Sequence, residues 1–166
     1  MRHRKYKRAF TIVELLVALA ITAMLLTAVA IAFNASIKNY QENEKMFQTM
    51  NSARQALLRM TTHLRTANWA DPFSPASEST LTTATGQNIT YRYNSGDKKL
   101  YLITLDDPTD SDYVLCDNVT AMNFKKETGV DGATTYVKSV AISMTIGIGD
   151  ARLTASSAAV IRKNLK

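Results

Sequence analysis

Between Phe10 and Phe33 run 24 residues whose only charge is Glu14. Its other polar residues are Thr11, Thr22 and Thr27, and neither Gly nor Pro interrupts it. A helix of this length spans about 36 Å at 1.5 Å per residue, enough for a bilayer hydrocarbon core of about 30 Å. Five cations precede it: Arg2, Arg4, Lys5, Lys7 and Arg8. That leader predicts a cytoplasmic N-terminus, with everything after Phe33 on the far side of the membrane. The residue to explain is Glu14. A carboxylate inside a membrane segment costs up to about 3 kcal/mol, less near an interface, and usually marks function.

Two readings follow from composition and length. The run is a permanent transmembrane anchor, or it is a secretory signal peptide. In the second case the h-region is Leu15–Thr27, and Ala28 with Ala30, or Ala30 with Ala32, supplies an A-x-A cleavage site. The run is long for an h-region, and neither reading gives Glu14 a purpose. The local pattern supplies a third. Ala9 is followed by Phe10-Thr11-Ile12-Val13-Glu14-Leu15-Leu16-Val17-Ala18. With its short basic leader, this stretch resembles the class III signal of type IV pilins and type II secretion pseudopilins. It departs from that pattern in having Ala9 where the family mostly has Gly.

The resemblance implies a fate for each part of the segment. A prepilin peptidase would cut between Ala9 and Phe10, and the new Phe10 amine would be N-methylated. The apolar helix would be kept. Glu14 would pair with the terminal ammonium of a neighbouring subunit and set the stagger between subunits, since an unpaired carboxylate in a dry bundle is penalised far more than a paired one. The implied partners are prepilin peptidase, other pilin or pseudopilin subunits, and an inner-membrane assembly platform with a separate ATPase. The implied location is the cytoplasmic (inner) membrane, crossed once, and then a filament.

Beyond Asn34 the chain continues in helical texture. Met46, Met50, Ala53, Leu57, Met60, Leu64 and Ala67 recur at alternating steps of 4 and 3, which places them on one helical face. No Gly or Pro occurs before Asp71-Pro72. The pattern predicts one helix from Phe10 to Asn68, with a bend at Asn34–Ser36 and its stop at Asp71-Pro72. The seven-residue face is expected to pack on the chain's own sheet rather than in a coiled coil.

After Pro75 the pattern is that of strands. Candidates are Ser79–Thr85, Ile89–Tyr93, Lys99–Leu105, Tyr113–Cys116, Val119–Lys126, Tyr136–Ile148 and Arg152–Ile161. Asn94-Ser95-Gly96-Asp97 reads as a hairpin turn, Glu127–Ala133 as a turn-rich stretch and Gly149-Asp150 as a turn. Short connections imply antiparallel pairing. The expected fold is α+β and pilin-like: a long N-terminal helix, its first half membrane-spanning, packed on a C-terminal antiparallel sheet. The expected division is a cleaved leader at 1–9, a membrane and filament-core helix at 10–33, its extracytoplasmic continuation at 34–70 and a sheet domain at 71–166. Val119, Met122 and Phe124, with the Thr154–Asn164 stretch, resemble the J-type minor pseudopilins; an inserted Lys163 departs from that ending.

Charge and chemistry narrow the function classes. The net charge of +6 is a property of the leader, because the remaining 157 residues carry 15 basic and 14 acidic side chains. Nucleic-acid binding is therefore not expected, and Trp69, Tyr91, Tyr93 and Tyr101 are expected in core and sheet packing. The single cysteine, Cys116, allows no intrachain disulfide and reads as a small buried hydrophobe. His3 lies in the leader, and His63 is expected half-exposed on the helix. No nucleophile–base pattern or phosphate loop is present, so the chain reads as a non-enzyme without a cofactor. Asp106, Asp107, Asp110 and Asp112 are a candidate calcium ligand set, since calcium takes six to eight oxygens. The plainer reading of these four is a solvated acidic turn around Pro108.

Overall fold

The computed structural model describes residues 10–104 and 113–164. The chain falls into two compact units, one up to Gln41 and one from Glu42 onward.

Helix α1 (Ile12–Thr66) is continuous, and its helical hydrogen bonding runs through Asn34–Ser36. Within the second unit Ala53, Leu57, Met60 and Leu64 are buried, and Met46 and Met50 are partly so. Thr49, Ala56 and Thr61 are buried beside them, so the covered face is wider than the apolar stripe. Thr61 tolerates burial because its hydroxyl donates to Leu57 O at 2.9 Å. The helix ends ahead of Asp71-Pro72. Ala67 N makes a tight bond to Leu64 O at 3.3 Å, and Asn68 N then donates to Thr82 O at 2.9 Å. Strand pairing therefore takes over the backbone before the proline is reached.

The expected sheet is split in two. Strands β1 (Trp69–Ala70), β2 (Glu78–Thr82), β3 (Asn88–Asn94), β4 (Lys99–Thr104) and β5 (Tyr113–Cys116) form one sheet in sequential order. Strands β6 (Val119–Asp131), β7 (Thr134–Ile148) and β8 (Ala151–Val160) form the other. All pairings are antiparallel. Helix α1 and both sheets share one core, in which Met60 and Leu64 meet Leu81, Tyr91 and Leu100 from the first sheet and Val140, Ile142, Met144 and Ile146 from the second. Each such side chain, fully buried, contributes about 1.5–3 kcal/mol by its removal from water.

Two sequence expectations need correction. The stretch Glu127–Ala133 is not turn-rich: β6 continues through Asp131, and the turn is Gly132-Ala133 alone. Gly132 has φ +61 and Ala133 has no positive φ, which fits the glycine-first two-residue hairpin turn. Trp69 is not packed in the core; it lies on the two-residue strand β1 and is 45 % exposed.

Lys126 ties β6 to the segment that leads into β2. Its ammonium donates to Ser74 O at 2.6 Å, Glu78 O at 3.1 Å and Pro75 O at 3.3 Å. Burial holds its pKa below the usual lysine value, and Asp71 and Glu78 oppose that shift. Replacing Lys126 by Met keeps the stem and removes the donor. We expect a stability loss of about 1.5–3 kcal/mol, the range for hydrogen bonds to a charged group, read as a lower urea midpoint with an unchanged slope. An unchanged midpoint would show that the three carbonyls are equally well served by water.

Cys116 is buried, as expected, with its Sγ 3.9 Å from Thr49 O and 3.4 Å from Asp117 O. Burial, with a smaller push from Asp117, raises its thiol to about 12. At pH 8 its thiolate fraction is then on the order of 1,000-fold below that of a free cysteine. Alkylation by iodoacetamide should be correspondingly slow in the folded chain and normal in urea; fast alkylation without denaturant would contradict the burial.

Candidate assembly site at the start of the helix

The functional candidate is the first turn of α1, and its geometry follows from three residues, Thr11, Glu14 and Leu15. Thr11 precedes the first helical residue and occupies the N-cap position; Glu14 stands three residues on. The Glu14 backbone N–H donates to Thr11 Oγ1 at 3.2 Å. Glu14 Oε2 accepts from the Thr11 backbone N–H at 3.0 Å and from the Thr11 hydroxyl at 3.1 Å. Leu15 N closes the turn onto Thr11 O at 3.2 Å. This is a reciprocal capping box, in which the side-chain oxygen of each residue accepts from the backbone N–H of the other. Thr-x-x-Glu was readable at residues 11–14, and attention to the charge of Glu14 alone misses Thr11.

The cap has an electrostatic side. A helix N-terminus carries roughly half a positive charge, which a carboxylate in the first turn complements. An ammonium on Phe10 would stand at that same positive end and be disfavoured there. Phe10 itself precedes the helix and is 86 % exposed.

From Ile12 to Phe33 the helix is apolar on every side. Leu15, Leu16, Val17, Leu19, Ile21, Met24, Leu25, Leu26, Val29 and Ile31 are all exposed. The two threonines inside the run direct their hydroxyls to their own helix: Thr22 Oγ1 to Ala18 O at 2.7 Å and Thr27 Oγ1 to Ala23 O at 2.9 Å. The helix is long and apolar enough to cross a membrane. A surface of this kind in water would be a large aggregation liability, so it requires lipid or other helices around it.

Ala9 lies outside the described residues, as do Asp106, Asp107, Asp110 and Asp112. His63 is half-buried, and its Nδ1 lies 2.8 Å from the hydroxyl of fully buried Tyr91. Burial, assisted by Arg59, lowers the His63 pKa. Burial raises that of Tyr91 above the ordinary phenol value, so a protonated phenol and a neutral imidazole share this hydrogen bond. This pair fastens the helix to β3.

With this geometry in place, the comparisons with known proteins bear on one region. The family model for the prokaryotic N-terminal methylation motif matches residues 4–30. Searches of curated proteins and of solved structures each found no match to the chain.

Proposed function

We propose that this chain, whose prepilin-type methylation signal is of the kind carried by type IV pilins and pseudopilins, is a minor subunit of a pilus-like or type II secretion filament. Prepilin peptidase would remove residues 1–9 on the cytoplasmic side, and Phe10 would be methylated. The single apolar helix holds the chain in the inner membrane until it joins a helical bundle, with the sheet-bearing unit outside. Glu14 would exchange its capping partner for the ammonium of a neighbour and so fix the stagger. An assembly platform and its ATPase would supply the work, because the chain shows no nucleotide-binding pattern.

One observation carries the reading: a capped, otherwise apolar helix start with its single carboxylate at the fifth residue after the expected cut. The test is the N-terminal sequence and intact mass of the mature protein from its native host. The expected product starts at N-methylated Phe10. A start at Ile31 or Phe33 would make the protein a released secretory product, and an intact Met1 in a host with an active prepilin peptidase would leave a plain anchor.

A further inference from the structure

Sheet edges expose rows of unpaired N–H and C=O groups, and folded chains blunt them with short strands, charges, prolines or cover. Three of the four edges here are managed in that way. Strand β1 has two residues and β5 has four. The outer side of β6 is covered in its first half, where Phe124 N donates to Ala76 O at 2.8 Å and Val119 N to Lys98 O at 2.8 Å, and its second half carries the charges of Lys125, Lys126, Glu127 and Asp131. Strand β8 is the exception. It has ten residues and pairs only with β7, and among the described residues no backbone group bonds to its other side. From Leu153 to Val160 it contains no charge, no Pro and no Gly.

The register says which groups are open. Ile161 N donates inward to Lys138 O at 2.9 Å, and the β7–β8 pairing is unbroken from Ser139↔Val160 to Ile148↔Ala151. Antiparallel pairing alternates inward and outward groups. Odd-numbered residues of β8 therefore bond to β7, while Thr154, Ser156 and Ala158 present N–H and C=O to the open edge. Gly147 supports the same phase, because its N–H points the other way, to Asn118 O at 3.0 Å.

We propose that the open edge of β8 is a strand-docking site, filled in the assembled filament by an extended, uncharged strand of a neighbouring subunit. This rests on the filament reading above. The backbone row selects an extended segment, since only a strand can satisfy alternate N–H and C=O groups along ten residues. The charge-free stretch selects an uncharged one. A second copy paired β8 to β8 does not fit. Two β8 edges paired antiparallel about a two-fold axis would run the helix stretches packed on their sheets in opposite directions, whereas chains entering one membrane from the same side run theirs alike.

Hydrogen exchange tests this on the full chain, once in neutral detergent alone and once in filaments sheared from the native host. The amides of Ala155, Ser157 and Ala159 should be protected in both. Those of Thr154, Ser156 and Ala158 should be unprotected in detergent and slowed by about 100-fold or more in the filament. A second variant, Ser156→Pro, removes only an outward N–H, a place where an edge strand tolerates proline. It should melt as the wild type does and enter filaments at least tenfold less. Filaments in which the even-numbered amides stay unprotected, or into which Ser156→Pro enters normally, would overturn the docking site while leaving the filament reading intact. Protection that persists in a Glu14→Gln chain held in the membrane would assign the edge to a different partner. A chain that never assembles would end both.

Discussion

Glu14→Gln is expected to keep the protein in the membrane and to reduce its presence in filaments by tenfold or more. The substitution separates the observed capping role of this side chain from its proposed pairing role. Gln at this position can still accept the Thr11 N–H, so the capping box and the helix start survive. What it lacks is charge. If Glu14 pairs with a neighbour's ammonium in a water-poor bundle, its neutral variant strands that ammonium, and breaking one side of a buried pair costs about 3–5 kcal/mol. Thr11→Ala makes the opposite cut. It removes the hydroxyl that holds Glu14 N at 3.2 Å, at a cost of about 1 kcal/mol in helix stability, and leaves the carboxylate. It should enter filaments at nearly the wild-type level. Immunoblots of sheared filaments against washed membranes decide the matter. If Thr11→Ala is excluded and Glu14→Gln enters normally, Glu14 is a helix cap and nothing more.

The second large effect is expected in the core. Leu58 and Leu64 stand six residues apart on the same helix, the first 69 % exposed and the second fully buried. Leu64→Ala should lose about 2–5 kcal/mol, the lost transfer energy plus a cavity that two sheets and a helix cannot close. Leu58→Ala should stay within about 0.5 kcal/mol. Urea denaturation of the full chain in a neutral detergent reads both. Equal losses would mean that the helix packs on its sheets through a different face.

These same residues show why some of the fold was legible. The alternation of 4 and 3 from Met46 to Ala67 is a direct projection of one helix face, so its burial could be read without a structure. The hairpin between β3 and β4 was legible too, although its turn lies one residue on, at Ser95–Lys98, with the left-handed φ of 58° on Lys98 and not on Gly96. The far half of β6 was not. Gly129 in Glu127–Ala133 looks like a breaker, yet it sits in the strand: a Cβ there would meet Lys138 Cε at 2.5 Å and Tyr136 Cζ at 2.8 Å. That glycine is room for two cross-strand side chains, a tertiary fact with no local signature. The split into two sheets is of the same kind, as it depends on which edge each strand meets. At the candidate site the charge and the apolar run were visible. Thr11 was visible too, as half of a capping pair, but a search for a charged device passes over a hydroxyl.

The self-bonded threonines of the apolar helix have a consequence for how such a segment could travel. Thr22 and Thr27 each spend their hydroxyl on a carbonyl one turn back, so neither needs a partner from its surroundings. On the filament proposal, a helix of this kind would meet two solvents, hydrocarbon first and packed protein later. It could pass between them without trading a single hydrogen bond along its middle, and on that proposal only its first turn would have an exchange to make. The transfer barrier is then concentrated at one end, and the rest of the segment slides.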